Sequence, residues 1–161
     1  MQLTPIGTIQ TPFRQLADMP IQPCGAQGVA GQIILRPELA TGLRDLDGFS
    51  HLIAIYLFHQ VVRSALTVTP FLDDQPRGVF ATRAPTRPNP IGLSVLAIKA
   101  IDGNILQVEH VDMLDGTPLL DLKPYVPQFD QVTDVRIGWL EEQIQQAKDK
   151  RSDQRFIKDQ Q

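Results

Sequence analysis

Short apolar segments, each closed off by proline, glycine or an Asp/Asn-containing turn, succeed one another along most of this chain, and few of the stretches between them carry a helical period. That succession constrains the fold more than any other feature. Strands joined by turns pair antiparallel, whereas a doubly wound sheet needs a helix after nearly every strand. Thirteen prolines and eleven glycines among 161 residues supply the turns. The reading is mainly β: a single antiparallel β-barrel-like domain with a C-terminal helix. A chain of this length buries roughly 68–70% of its unfolded surface, enough for one core.

Along the chain, Leu3 to Gln10 reads as an edge strand, because Pro5 cannot donate to a ladder. Thr11 to Gly31 is a long loop, and Gly31 to Arg36 a strand. Pro37 to Leu46 forms a short helix with leucines at 39, 43 and 46. Ser50 to Phe58 is a buried strand, and Val61 to Val68, Gly78 to Arg83, Leu93 to Ile101 and Ile105 to Val111 follow as strands. Asp102-Gly103-Asn104 turns the last two into a hairpin. Leu119 to Tyr125 and Val132 to Ile137 complete the set. Trp139, Leu140, Ile144 and Ala147 at helical spacing predict an amphipathic helix packed on the body. The tail from Lys148 is polar apart from Phe156 and Ile157, and is read as a solvated continuation or as disordered. Residues 1–138 are thus the β-barrel domain and 139–161 a C-terminal helix with a polar tail.

Net charge is −3, with 42% hydrophobic and 20% charged residues, which describes a soluble globular protein and not a wholly basic nucleic-acid coat. The one cysteine, Cys24, forbids an internal disulfide and fits a reducing compartment. No basic segment followed by an apolar run opens the chain, and Leu52 to Phe58 is too short to span a bilayer, so a cytoplasmic location with no membrane contact is expected. There is no Walker loop, no dinucleotide-binding glycine fingerprint, no Gly-x-Ser-x-Gly elbow and no His-Glu-x-x-His. His51, His59 and His110 lack metal-ligand spacing, so no metal is expected.

Three stretches carry chemistry. In Gly78 to Ser94, Pro85, Pro88 and Pro90 stiffen a connection and hold Arg87 and Asn89 extended. From Gln75 to Ile101 there is no acid, while Arg77, Arg83, Arg87 and Lys99 are cationic, a pattern suited to carboxylate or phosphate capture. The alternative is a solvated loop whose arginines pair with acids elsewhere in the fold. Asp115-Gly116-Thr117-Pro118 offers a carboxylate, a closely approachable backbone and a hydroxyl, and equally makes a purely structural turn. His59 and Gln60 emerge where the most apolar strand ends, placed to touch a ligand or to satisfy a core histidine.

Together these stretches resemble the TsaA-like (YaeB, TrmO) family. The blocks are Phe49-Ser-His-Leu52 with Phe58-His-Gln60, Gly78-Val-Phe-Ala-Thr-Arg83, Arg87-Pro-Asn-Pro-Ile-Gly-Leu-Ser94, Asp115-Gly-Thr-Pro118 and Asp121-Leu-Lys-Pro-Tyr125, in the family's order over about Pro5 to Ile137. The resemblance implies an S-adenosylmethionine (SAM)-dependent methyltransferase that acts on N6 of threonylcarbamoyladenosine at position 37 of tRNA, and a homodimer. It carries the SAM-contacting positions onto Gln22, His59, Gln60, Arg83, Leu93, Ser94, Asp115, Gly116, Thr117 and Pro118, with Ile21 standing where the family has an arginine. On this reading Arg83 or Arg87 holds the cofactor's carboxylate, Asp115 accepts from its ammonium or diol, and backbone near Gly116 pairs with adenine. Arg77, Arg87, Asn89 and Lys99 serve RNA phosphates, and His59 is the candidate base. The alternatives are a non-catalytic SAM- or nucleotide-binding module and a family methyltransferase with another acceptor.

Overall fold

Alternation of inward and outward side chains along six strands builds a closed barrel in the computed structural model, which describes residues 2–16, 19–144, 149, 151–153 and 156. The strands in chain order are β1 (Gly7–Gln10), β2 (Ala30–Leu35), β3 (His51–Leu57), β4 (Thr67–Val68), β5 (Arg77–Gly78), β6 (Ile91–Asp102), β7 (Ile105–Glu109) and β8 (Thr117–Pro124). Around the barrel they run β1-β2-β7-β6-β3-β8, every neighbouring pair antiparallel, while β4 and β5 form a separate two-stranded ribbon.

Each barrel strand contributes a completely buried large aliphatic side chain: Ile9, Ile33, Leu52, Leu96, Leu106 and Leu119. Burying each is worth about 1.5–3 kcal/mol, so the ring they form is the centre of the core. A barrel of about eight strands is already just filled by its own side chains, so this narrower one has no room for a ligand within it. Any small-molecule site must therefore be built outside, from the connections.

The structure departs from the sequence expectations in four places. β1 is no edge: Gly7 pairs with Leu35 on one side and Leu119 on the other. Pro5 stands ahead of the strand, where its missing N–H interrupts no ladder bond. Val61 to Val68 is extended only at β4. Past β5, Val79–Ala81 turns in a 3-10 helix in place of the expected strand. The Thr82 hydroxyl donates to the Val79 carbonyl at 2.9 Å, a local bond that competes with strand pairing. Val132 to Ile137 forms no strand and leaves Val132, Val135 and Ile137 exposed, because a closed barrel offers no edge to join. One helical turn, α1 (Pro127–Asp130), stands before it. Of the expected C-terminal helix, a 3-10 turn at Gly138–Leu140 is described, and Ala147 lies outside the described residues. Pro37–Leu43 is helical as expected, in 3-10 form.

The tail is not simply solvated. Phe156 is buried in a second small core with Val68, Val79 and Ala84, its ring edge-on to Phe71 at 4.9 Å. Ser152 N–H donates to the Met19 carbonyl at 2.7 Å, and Arg151 bridges to Pro20.

Candidate active site

Outside the barrel, a cavity of about 890 Å³ opens between the loop before β2, the end of β3, the segment before β6 and the C-terminal residues. Its walls are mostly apolar, with Phe58, Phe80 and Leu93 among them, and its size and character match those of ordinary ligand sites. Trp139, Ile144 and Phe156 also line it, so residues beyond 138 are part of the site's wall and not a separate appendage.

The structure brings six of the sequence-selected residues to this cavity: Gln22, His59, Gln60, Arg83, Arg87 and Leu93. Gln22 and Arg83, 61 positions apart in sequence, meet there, the Arg83 Nη1 donating to Gln22 Oε1 at 3.0 Å. Among the described residues Arg83 has no carboxylate within salt-bridge range, so its charge remains free for an anion. His59 and Gln60 are exposed at the margin and have no hydrogen-bond partner among the described residues. Ser94 is buried just beneath the lining.

The other selected residues lie elsewhere. Asp115 faces a second, shallower cleft with Gln10, Thr11, Arg14 and Gln32. Both its carboxylate oxygens are occupied, one by Thr11 N–H at 3.0 Å and the other by the Arg14 guanidinium. Gly116, at φ +77°, donates its N–H to the Ile9 carbonyl at 2.9 Å, and the buried Thr117 hydroxyl donates to Leu114 O at 2.7 Å. Pro118 pairs with Thr8 in the barrel. Within one chain, then, the turn ties β8 to β1.

The acid-free run in sequence is not uncompensated in space. Arg77 donates to Asp73 at 2.7 Å and lies 5.5 Å over the Trp139 ring, and Lys99 pairs with Glu109 at 3.3 Å. Arg87, although at the cavity, spends Nη1 on the carbonyls of Val79, Thr82 and Ala84 at 2.9–3.3 Å. It holds the 3-10 turn in shape. Asn89 is exposed on the stiffened connection. Arg83 is thus the cation of this run that the fold leaves open.

Sequence reasoning missed two residues. Tyr56 and Asp112 line the cavity, and Ser94 joins them: its hydroxyl donates to Asp112 Oδ1 at 2.6 Å and lies 3.0 Å from the Tyr56 hydroxyl. Because the Ser94 proton is committed to Asp112, the Tyr56 hydroxyl is the donor to Ser94. Burial pushes the Asp112 carboxyl up to about 6, against the lowering effects of the Ser94 bond and the nearby Arg83. Burial also raises the Tyr56 phenol well above its ordinary range, so that it stays protonated. Gly92 makes the arrangement possible. It pairs with Tyr56 across β3 and β6, and a Cβ there would overlap the tyrosine ring. His110, in the left-handed region at φ 72°, then swings the chain after β7 so that Asp112 points back under Ser94.

The family model of the tRNA-methyltransferase O N-terminal domain matches residues 8–131. The chain belongs to the TrmO family. This is a family of SAM-dependent methyltransferases. A probable S-adenosyl-L-methionine-binding protein of Pyrococcus abyssi is 50% identical over 95% of this chain and 83% of its own length. The tRNA (adenine(37)-N6)-methyltransferase of Escherichia coli is 35% identical over 86% of this chain and 63% of its own length. The crystal structure of TrmO from Pseudomonas aeruginosa superposes with a TM-score of 0.73 at 38% identity, covering 86% of this chain and 62% of that one. The chain therefore spans somewhat under two thirds of the TrmO molecules it matches, and the mainly β barrel is their fold.

The residues present fit the TrmO cofactor. The apolar walls suit a nucleoside, and Arg83 with Gln22 suits a carboxylate. When bound, SAM supplies a methyl group activated by its sulfonium. No helix among the described residues is long and apolar enough to cross a membrane, and none of their His, Cys, Asp and Glu side chains cluster as metal ligands.

Proposed function

We propose that this protein transfers the methyl group of SAM to N6 of threonylcarbamoyladenosine at position 37 of tRNA, acting in the cytoplasm as a homodimer. The observation that carries the reading is the cavity that gathers Gln22, Arg83 and Asp112, on a chain related to the E. coli tRNA (adenine(37)-N6)-methyltransferase. Methyl transfer is an in-line displacement, so the protein's main task is alignment of the acceptor nitrogen behind the methyl carbon. Arg83 anchors the cofactor's carboxylate, Leu93 and Phe58 pack its apolar face, and Gln60 and His59 stand at the mouth where an acceptor enters. The RNA-facing role belongs first to Asn89; Arg77 and Lys99 contribute by exchanging their ion pairs for phosphates. The mouth carries exposed Phe80, Ile91 and Leu93, an apolar rim that a second copy can cover, which supports the homodimer.

Labelled SAM incubated with tRNA from a strain that lacks this modification tests the proposal. Label on N6 of the nucleoside at position 37 is expected. SAM binding without transfer to any tRNA would overturn it, and transfer to another nucleoside would replace the acceptor. Binding without transfer is the outcome nearest the name of the Pyrococcus relative, which speaks of SAM binding alone.

A further inference from the structure

We propose that Asp112 is the proton acceptor of the reaction, and that Ser94 and Tyr56 are positioning residues that hold its carboxylate toward the cavity. This rests on the functional reading above and deepens it. The acceptor nitrogen there is attached to a carbamoyl carbonyl as well as to the purine, so its lone pair is delocalised and its proton has to leave for it to become an effective nucleophile. The cavity wall offers His59, Asp112 and Asp153 for that task, and Asp153 lies on the exposed C-terminal segment. His59 is exposed and unheld, whereas Asp112 is buried and fixed by a directed chain in which Tyr56 donates to Ser94 and Ser94 donates to Asp112. A base works when its orientation is set by a third group, and Asp112 is the one so oriented.

The balance is simple. As the N–C bond to the methyl forms, the C–S bond breaks with its electron pair left on sulfur, and the N6 proton passes to Asp112, which ends neutral and later releases it to water. The net change is one methyl gained and one proton lost by the acceptor. Burial already disfavours the charged carboxylate, which raises its proton affinity toward working pH. The charged and titratable groups acting on it are Arg83, from the segment before β6, and Tyr56, from β3.

The test compares wild-type protein with Asp112→Asn, Ser94→Ala and His59→Ala. Wild-type turnover is expected to fall on an acid limb near pH 6. Asp112→Asn should lose at least a hundredfold in kcat while SAM affinity by calorimetry stays within about threefold. Ser94→Ala should lose about tenfold in kcat and shift the limb, with KM little changed. His59→Ala should keep the limb. Independently of activity, the Asp112 carboxyl carbon should titrate near 6 in cofactor-free protein by NMR. Retained turnover in Asp112→Asn, loss of the limb in His59→Ala, or a carboxyl titrating in the ordinary range near 4 would each overturn the assignment. A wild-type protein that methylates no tRNA would instead overturn the functional reading, and this assignment with it.

Discussion

Arg83 holds a unit charge at the cavity mouth with a neutral amide as its only described partner, which is the state of a group waiting for an anion. Charge-assisted bonds of this kind are worth about 1.5–3 kcal/mol, so Arg83→Ala should weaken SAM binding by about ten- to a hundredfold, read by calorimetry. Asp115 is the opposite case. With both oxygens engaged inside the fold, Asp115→Ala should cost about 1–2 kcal/mol of stability, measured as a lower urea midpoint. Asp112 makes stability depend on pH. Its folded value near 6 lies above the ordinary 3.8, so ionisation is harder in the folded state than in the unfolded one. The contribution of Asp112 to stability is therefore greatest below about pH 4, declines as pH rises to about 6 and levels off above it, by about 3 kcal/mol in all. Asp112→Asn should abolish that slope and be the more stable protein at pH 8, which urea titrations at two pH values will show. Gln22, His59 and Arg83 were legible because the sequence blocks carrying them are distinctive. Asp112 was not, although it left a mark: it is a lone acid inside the apolar run Val111 to Leu114. Tyr56 left none, since a tyrosine in a strand needs no explanation until Ser94 is seen beside it.

At the scale of elements, short apolar runs closed off by turns located β2, β3, β6, β7 and β8, because each lays one face on the core. The same patterning misled where burial comes from a different neighbour. Val79 is buried against Ala84 and Phe156, not against a paired strand, while Phe80 beside it is exposed. Alternation there reflects a 3-10 turn lying on a small core. Likewise, β-branched residues at 132 and 135 are extended-strand formers with no ladder left to join. The pairing of β3 with β6 depends on Gly92, whose missing side chain accommodates the Tyr56 ring. Gly92→Ala should displace that ring, cost about 1–3 kcal/mol by overpacking and lower methyl transfer with it, checked by thermal unfolding and the tRNA assay together.

For the whole molecule, a filled six-stranded barrel separates stability from chemistry. The core ring of six aliphatic residues needs no ligand, and the cavity is assembled from connections laid against the barrel's outside. The overall β class was legible because turn chemistry and strand patterning agree along the chain. The barrel's closure was not, because it depends on β1 meeting β8, and nothing local in either strand announces the other.

That meeting also sets a timetable for biosynthesis. The chain leaves the ribosome from its N-terminus, yet Ile9 waits for Thr117 before its second neighbour exists. The β1–β2 hairpin can form early, but until β8 is synthesised both it and the growing sheet present unpaired edges. Pairings between such distant segments are intrinsically slow to form, so the nascent chain passes through a sticky interval that ends only when β8 has emerged.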